Sequence, residues 1–568
     1  MKKSTIPWKF LDDYRGKVFK GEWPTLPELF KITASRFGAR PCFTVFEPDR
    51  ISLTYNESLK IIEAVARWLH SMGIRRGDKV AVSGKNSPQW TTAYLGTLFA
   101  GAIVVPVDYQ IKNDEIELLI KTSGAKMLFV DEEKYQYFLE NRGGLEQIIS
   151  MKQGVGTYIY DLDGPKTEIE QAAEEDLAAI LFTSGTTGNP KGVMLTHKNL
   201  VSDCFLAQGT PLYLDETDVF YCILPIHHAY TMLAVFIETI SSGAELVFGK
   251  KMVTSVMLKE LKEGKVTMLL GVPMLFNKLL SGILRGIKAK GVLVYGLINI
   301  MMGISGFIKK VFKVNPGKKI FHAILDQASL ATVRVCICGG GPLAPSVFKK
   351  FNEMGIDFVQ GYGLTETSPI INLNPIEHYK ETSVGLAFPG VDMKIIDPDE
   401  RGVGEVVVKG PMVMKGYYNM PKETAEAFTP DGYLKTGDLG YMDNENYLYL
   451  TGRAKNVIVT DGGKNVYPEE IENEFQLFDE IDQIMIRGFV KDKKLKIEGI
   501  EALVYPNPEF FRDPAGKAIS KDETKKKIDA IINEVNQRLL PYQKINQSVI
   551  LDEPMEMTTT KKIKRGAV

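Results

Sequence analysis

Cysteine is scarce in this chain of 568 residues: Cys42, Cys204, Cys222, Cys336 and Cys338 are all it has. A sparse and odd-numbered set argues against a disulfide framework and for a reducing compartment. Net charge is also nearly absent, with 69 Lys and Arg against 70 Asp and Glu. No global field marks the chain as a nucleic-acid binder. Met1 to Trp23 holds no apolar run of signal-peptide length, so no export is expected and the cytoplasm is the expected location. A further absence is local. Between Glu263 and Asp326 there is no acidic residue, while Lys265, Lys278, Arg285, Lys288, Lys290, Lys309, Lys310, Lys313, Lys318 and Lys319 all fall inside the gap. At its centre Gly291 to Ile308 is uncharged and mostly apolar, at the lower edge of the length a membrane span needs. A single span would put the loop at Thr183 and everything after Ile308 on opposite sides of a bilayer, yet both are expected to build one site. Peripheral contact of 278–319 with the inner, anionic face of a membrane fits better. A buried helix with a solvated basic flank is the alternative.

What is present is an ordinary globular composition, 44% apolar and 24% charged. The length is too great for one core, so two or more domains are expected. Between residues 51 and 131 strand-like and helix-like stretches alternate: Leu53 to Tyr55, then Asn56 to Met72; Lys79 to Val82, then a helix capped at Ser87-Pro88; Ala102 to Val107; Lys126 to Asp131. That alternation implies βαβ units and a mostly parallel sheet.

The most informative stretch is Thr183-Ser184-Gly185-Thr186-Thr187-Gly188-Asn189-Pro190-Lys191-Gly192. Glycines let backbone N–H groups approach phosphate oxygens, hydroxyls add donors, and Lys191 adds a point charge. It is not a Walker loop, because Lys191 is followed by Gly192 and a β-type run rather than by a helix. The loop is expected to join two strands. A plain surface loop is the competing reading.

Leu224-Pro225-Ile226-His227-His228 follows a strand-like run. Adjacent side chains on a strand point apart, so one metal held by both histidines is not expected. A pocket wall and a satisfied structural histidine both remain open. Cys336 and Cys338 lie in an apolar β-branched run with no second Cys/His pair nearby, which reads as a core strand. That run enters Gly339-Gly340-Gly341-Pro342-Leu343, and Phe358-Val359-Gln360 enters Gly361-Tyr362-Gly363-Leu364-Thr365-Glu366. Ligands in open α/β sheets bind at the carboxyl ends of strands, so three glycine-rich strand ends suggest one shared crevice. From Gly385 short β segments suggest a small antiparallel, barrel-like subdomain: Met393 to Ile396, Gly404 to Val408, Gly410 to Tyr418 and Tyr447 to Tyr449. Gly432 to Asp438 and Thr451 to Lys455 follow in the same region, and Lys521 to Leu540 is the clearest late helix.

Taken together, Thr183–Gly192, Leu224–His228, Gly339–Leu343, Gly361–Glu366, Gly432–Asp438, Gly452–Lys455, Gly463–Glu472 and Lys562–Arg565 resemble, in order, the motifs of the adenylate-forming superfamily. That group includes acyl-CoA synthetases, firefly luciferase and peptide-synthetase adenylation domains. The similarity runs from about Thr54 to the C-terminus, and the basic insertion before Gly339 looks like that of long-chain fatty acyl-CoA synthetases. The ending departs from the common Gly-Lys-Ile pattern, with Lys561 in the glycine position; register with Ile563 and Arg565 favours Lys562 as the reactive lysine.

The resemblance implies an α/β fold: a large N-terminal domain of layered sheets with the small subdomain, residues 1–454, and a small mobile α+β C-terminal domain, 455–568. It implies ATP, Mg²⁺ and coenzyme A as cofactors, and formation of an acyl-adenylate followed by thiol attack. Thr183, Ser184, Gly185, Thr186, Thr187, Gly188 and Lys191 would hold the β and γ phosphates. Glu366 and Thr186 would hold Mg²⁺. Gly340, Gly341, Pro342, Gly361, Tyr362, Gly363 and Thr365 would form the adenine slot, with Tyr362 stacking. Asp438 would take the ribose hydroxyls with help from Arg453. Lys562 would meet the α-phosphoryl charge, and His228 would stand where carboxylate and thiol meet. Lys455 would be the hinge, and Gly463, Lys464 and Asn465 would line the pantetheine tunnel after rotation. A medium- or long-chain fatty acid is the expected substrate. A carrier-protein ligase, a short-chain or aromatic acid ligase, and a non-catalytic membrane sensor are the alternatives. Oligomeric state is not legible.

Overall fold

The computed structural model describes residues 6–183, 190–250, 253–460, 464–492, 497–513, 516–558 and 563–565. The loop 184–189, Gly463 and Lys562 lie outside the described residues.

Two large sheets carry the first three quarters of the chain. A seven-stranded sheet is parallel from Leu177–Thr183 through Ile103–Val107, Lys79–Ser83 and Met127–Val130 to the edge strand Gln147–Ser150. A nine-stranded sheet has a parallel centre running from Asp357–Tyr362 through Val335–Cys338, Met268–Gly271, Val219–Cys222 and Glu245–Phe248 to Pro41–Val45. The parallel βαβ character expected between residues 51 and 131 is borne out for Lys79–Ser83, Ile103–Val107 and Met127–Val130; the expected strand at Leu53 to Tyr55 is instead Ile51–Thr54, an antiparallel edge strand beside Pro41–Val45 in the other sheet.

The helix Pro88–Phe99 packs against strands of both sheets and is buried all round except at Gln89. A helix apolar on every side has to lie inside the protein. Its start is fixed by Ser87, whose hydroxyl accepts from the Trp90 amide at 3.1 Å, and by Pro88 in the first turn. Trp90 and Tyr94 meet Phe236 edge-on, at interplanar angles of 84° and 89°. Thr54 opens the amphipathic helix Tyr55–Ser71 with a capping box to Glu57.

A four-stranded antiparallel sheet follows, built from Asp392–Ile396, Gly404–Lys409, Leu434–Met442 and Leu448–Arg453. The stretch Gly410 to Tyr418 does not join it. Only Gly416–Tyr417 is strand, and it pairs instead with Lys191–Thr196 of the seven-stranded sheet. The expectation placed it wrongly because a short apolar run specifies extended backbone but not which edge it adds to.

Beyond Lys455 the chain builds its own core. Ile528, Ile532 and Val535 of the helix Lys521–Asn536 pack with Ile500, Ala502 and Val504 of a three-stranded sheet. The strands are Ile481–Asp492, Ile497–Pro506 and Gln547–Ile550. All five cysteines are free and buried, and Cys336 and Cys338 sit in the core strand Val335–Cys338.

Candidate active site

A cleft of about 3000 Å³ opens where the sheets and the late chain meet. Thr183, Lys191, His228, Gly340, Gly341, Pro342, Gly361, Tyr362, Gly363, Thr365, Glu366, Asp438, Arg453 and Lys455 all line it. Stretches scattered over some 270 positions of sequence therefore share one cavity.

The phosphate-loop candidate lies between two antiparallel strands. Leu177–Thr183 pairs with Lys191–Thr196, and Thr183 stands opposite Lys191. The expectation that two strands flank this loop holds. Lys191 places its ammonium 4.8 Å from the centroid of the Tyr417 ring. The Tyr417 hydroxyl donates to Glu366 Oε1 at 3.0 Å. Burial and the Glu366 carboxylate together push the Tyr417 phenol upward. Glu366 is held in a short turn, Thr365–Thr367, by its carbonyl, which accepts from the Met414 amide.

Asp438 is 7% exposed and fixed from three sides. Tyr362 donates its hydroxyl to Oδ2 at 2.7 Å. Arg453 brings Nε to Oδ1 at 2.7 Å. The Asp438 amide donates to Thr436 Oγ1 at 3.1 Å. The cause is register: Asp438 and Arg453 are direct cross-strand partners in the antiparallel pair. Tyr362 is reached because Asp357–Tyr362 runs two residues past Gln360, with Gly361 and Tyr362 paired to Leu373 and Asn372. The expected strand end at Gln360 is corrected accordingly. Gly363 has no room for a side chain, since an added Cβ would collide with the Pro369 carbonyl. Gly340 adopts φ +78°, the left-handed turn after the core strand.

The two histidines correct a premise. The strand ends at Cys222, and His227 and His228 lie in a turn, so their rings do not point apart. The centroids are 4.2 Å apart, and His227 Nε2 is 3.5 Å from Asp108 Oδ1. Asn86 clamps this turn: its Nδ2 donates to the Cys222 and Leu224 carbonyls at 3.0 and 2.9 Å, and its Oδ1 accepts from the Ile226 amide at 3.0 Å.

One arm of the cleft is apolar. Phe220 pairs with Met268, and Leu270 with Ile337, so neighbouring strands bring these four side chains to one sheet face. Tyr230, Ala234 and Glu238, four residues apart in one helical stretch, complete the arm. Glu238 is 4% exposed, and burial pushes its carboxyl up to about 8.

The C-terminal portion closes the cleft with few polar contacts. The Gln476 side chain accepts from the Ala344 amide at 2.8 Å and donates to the Pro342 carbonyl at 2.9 Å. Arg565 forks onto Glu472 at 2.7 and 2.6 Å, holding the tail next to position 562 against the helix Pro468–Asn473. Ile563, Lys564 and Arg565 line the cleft. Burial, and then the Arg453 and Arg565 cations, lower the Lys455 ammonium. Lys464 is not in the cleft; it lies 3.7 Å from Glu400 on the outside.

Sequence reasoning missed Asn86, Tyr417, Glu238, Asp108 and Gln476. Asn86 directly precedes the Ser87-Pro88 helix start, a place where a buried amide clamp is easily passed over as turn chemistry. Nothing local marks the other four.

The AMP-binding family model, described as AMP-binding enzyme, matches residues 30–418, and the chain belongs to that family. It is 29% identical to a long-chain-fatty-acid–CoA ligase of Bacillus subtilis over 82% of each chain. It is 26% identical to a feruloyl-CoA synthase of an Amycolatopsis species, covering 96% of this chain and 98% of the relative. The crystal structure of the ATP-bound RpMatB-BxBclM chimera B1 superposes with a TM-score of 0.75 at 25% identity, covering 96% of this chain and 98% of that one.

Proposed function

We propose that the protein is an ATP-dependent acyl-CoA synthetase that activates a medium- or long-chain fatty acid as its adenylate and transfers the acyl group to coenzyme A. The observation that carries this reading is the buried Asp438, pinned by Tyr362 and Arg453 in the same cleft as Lys191 and Glu366. A carboxylate with both oxygens oriented suits the two hydroxyls of a ribose. Gly340 to Pro342 and Gly361 to Gly363 leave backbone open for a flat base. The loop 184–189 and Lys191 take the β and γ phosphates. Glu366 offers the cleft a hard oxygen fixed by Tyr417; with Thr186 it would hold Mg²⁺, which supplies charge neutralisation at the phosphates.

The fatty carboxylate attacks the α-phosphorus, the α–β bridging bond breaks, and pyrophosphate leaves. Lys562 meets the charge that builds on the α-phosphoryl oxygens, a contact of about 3–4 kcal/mol. The thiol then attacks the acyl carbon beside His228, and AMP departs. The acyl chain lies in the arm between Phe220, Met268, Leu270 and Ile337. We divide the chain at Lys455, with residues 455–568 rotating between the two half-reactions and carrying Gly463, Lys464 and Asn465 inward for the second.

The same arm would also take a flat ring, and the likeness to a feruloyl-CoA synthase over 98% of its length favours an aromatic acid as the second reading. Carboxylate-dependent exchange of labelled pyrophosphate into ATP tests both, across acids from acetate to long-chain and hydroxycinnamic. Exchange rising with chain length supports the first reading. Exchange with hydroxycinnamic acids alone supports the second, and none with any acid refutes both.

A further inference from the structure

The helix Val292–Phe312 is long and apolar enough to cross a bilayer, yet it is packed along the protein with only 17% of its apolar window buried. Its inner face is firmly attached. Met302 and Ser305 are buried, and the buried Lys309 ammonium sits 2.7 Å from both Asn352 Oδ1 and Asp357 Oδ1. Its outer face is a continuous stripe at helical spacing: Leu293, Leu297, Ile300, Ile304, Phe307 and Val311 are each 53% to 89% exposed. An apolar stripe of this length is not left in water without an occupant.

Charge selects the occupant. Arg285, Lys288, Lys290, Lys310, Lys313 and Lys319 are exposed around the ends of the stripe. No acid lies between Glu263 and Asp326 in the sequence; from outside that gap Glu381 reaches Lys310 at 3.3 Å, and the rim as a whole keeps a positive excess. A second copy would set this basic rim against itself. The positions beside the stripe, Gly296, Met301 and Gly303, offer no charges to orient a partner helix. We propose that this helix lies flat in the headgroup region of an anionic membrane, its stripe among the acyl chains and its lysines on the lipid phosphates.

The helix before it joins this surface to the cleft. Pro273–Lys288 packs against Val292–Phe312 and lines the cleft with Met274, Asn277, Lys278, Ser281 and Arg285. Docking therefore sets one mouth of the cleft against lipid. A water-insoluble acid partitioned in the bilayer could then enter without crossing water; that last step rests on the acyl-activating reading, whereas the docking does not.

The test is flotation of the full chain with vesicles of phosphatidylcholine alone and of phosphatidylcholine with phosphatidylglycerol. Wild type should float with the anionic vesicles, less so as salt rises. Leu297→Glu with Ile304→Glu should cut partitioning about tenfold or more, and Lys288→Gln with Lys290→Gln and Lys319→Gln should flatten the salt dependence. All these side chains are exposed, so the melting temperature should hold, and pyrophosphate exchange with a soluble acid should be unchanged. Loss of exchange in wild type would count against the acyl reading alone. Equal flotation of the Glu variant, equal flotation on both vesicle types, or a concentration-dependent dimer that the Glu variant splits would each overturn the docking.

Discussion

The two walls of the cleft are built on different principles. The wall that carries Asp438 is preorganised: Asp438 is buried, its partners come from a strand register, and Tyr362 is locked into the nine-stranded sheet. The facing wall, from the C-terminal portion, has its own core and touches the first through polar contacts such as Gln476 and the 3.4 Å approach of Tyr467 to Asp399. A charge-assisted bond to a buried group contributes about 1.5–3 kcal/mol, while an exposed polar contact contributes about 1 kcal/mol or less. One wall can afford no movement, and the other can separate at small cost.

Changes at the two walls should therefore differ in kind. The largest effect is expected at Lys562. Lys562→Ala should slow adenylate formation by about a hundred- to a thousand-fold and largely spare thioester formation from supplied acyl-adenylate; equal loss in both half-reactions would refute the role. At the fixed wall, Asp438→Asn should lower kcat/KM for ATP by about ten- to a hundred-fold, and, because it weakens the buried bonds to Tyr362 and Arg453, it should also lower the melting temperature by a few degrees. Asn86→Ala removes three buried hydrogen bonds behind the histidine turn. It should cost about 2–3 kcal/mol in denaturant unfolding, and an unchanged midpoint would show that the turn holds itself.

Glu238 gives a pH-dependent contrast. Its folded value of about 8 lies above the 4.5 of an unfolded glutamate, so stability is full below about pH 4.5 and is lost as pH rises toward 8. Glu238→Gln should remove that loss. Its advantage in thermal unfolding should be absent near pH 4.5 and reach on the order of 4 kcal/mol near pH 8; a constant difference across that range would contradict a neutral buried acid. The smallest effect is expected for Gln476→Ala, about 1 kcal/mol or less, read as a change of no more than a few-fold in either half-reaction.

Much of the fixed wall was legible in the sequence because glycines, Asp438 and Glu366 belong to contiguous motifs. The glycine turns after Cys338 and Gln360 converge because parallel neighbouring strands end on one side of a sheet, whereas Asp438 comes from the separate antiparallel sheet. What was not legible depends on register and long-range pairing. Tyr417 reaches Glu366 only because Gly416–Tyr417 adds to the sheet of Lys191–Thr196, a pairing that no local pattern specifies. The histidine turn was misread as strand because a proline after an apolar run does not say where the strand stops. The exposed stripe of Val292–Phe312 was visible as composition, but which face is turned outward needed the packing of Met302 and Lys309.

The most direct test of the fixed wall compares ATP with its 2′,3′-dideoxy analogue in pyrophosphate exchange, in wild type and in Asp438→Asn. If Asp438 receives the ribose hydroxyls, wild type should prefer ATP by about ten- to a hundred-fold and the variant should lose most of that preference. An identical preference in both proteins would place the sugar elsewhere and contradict the account.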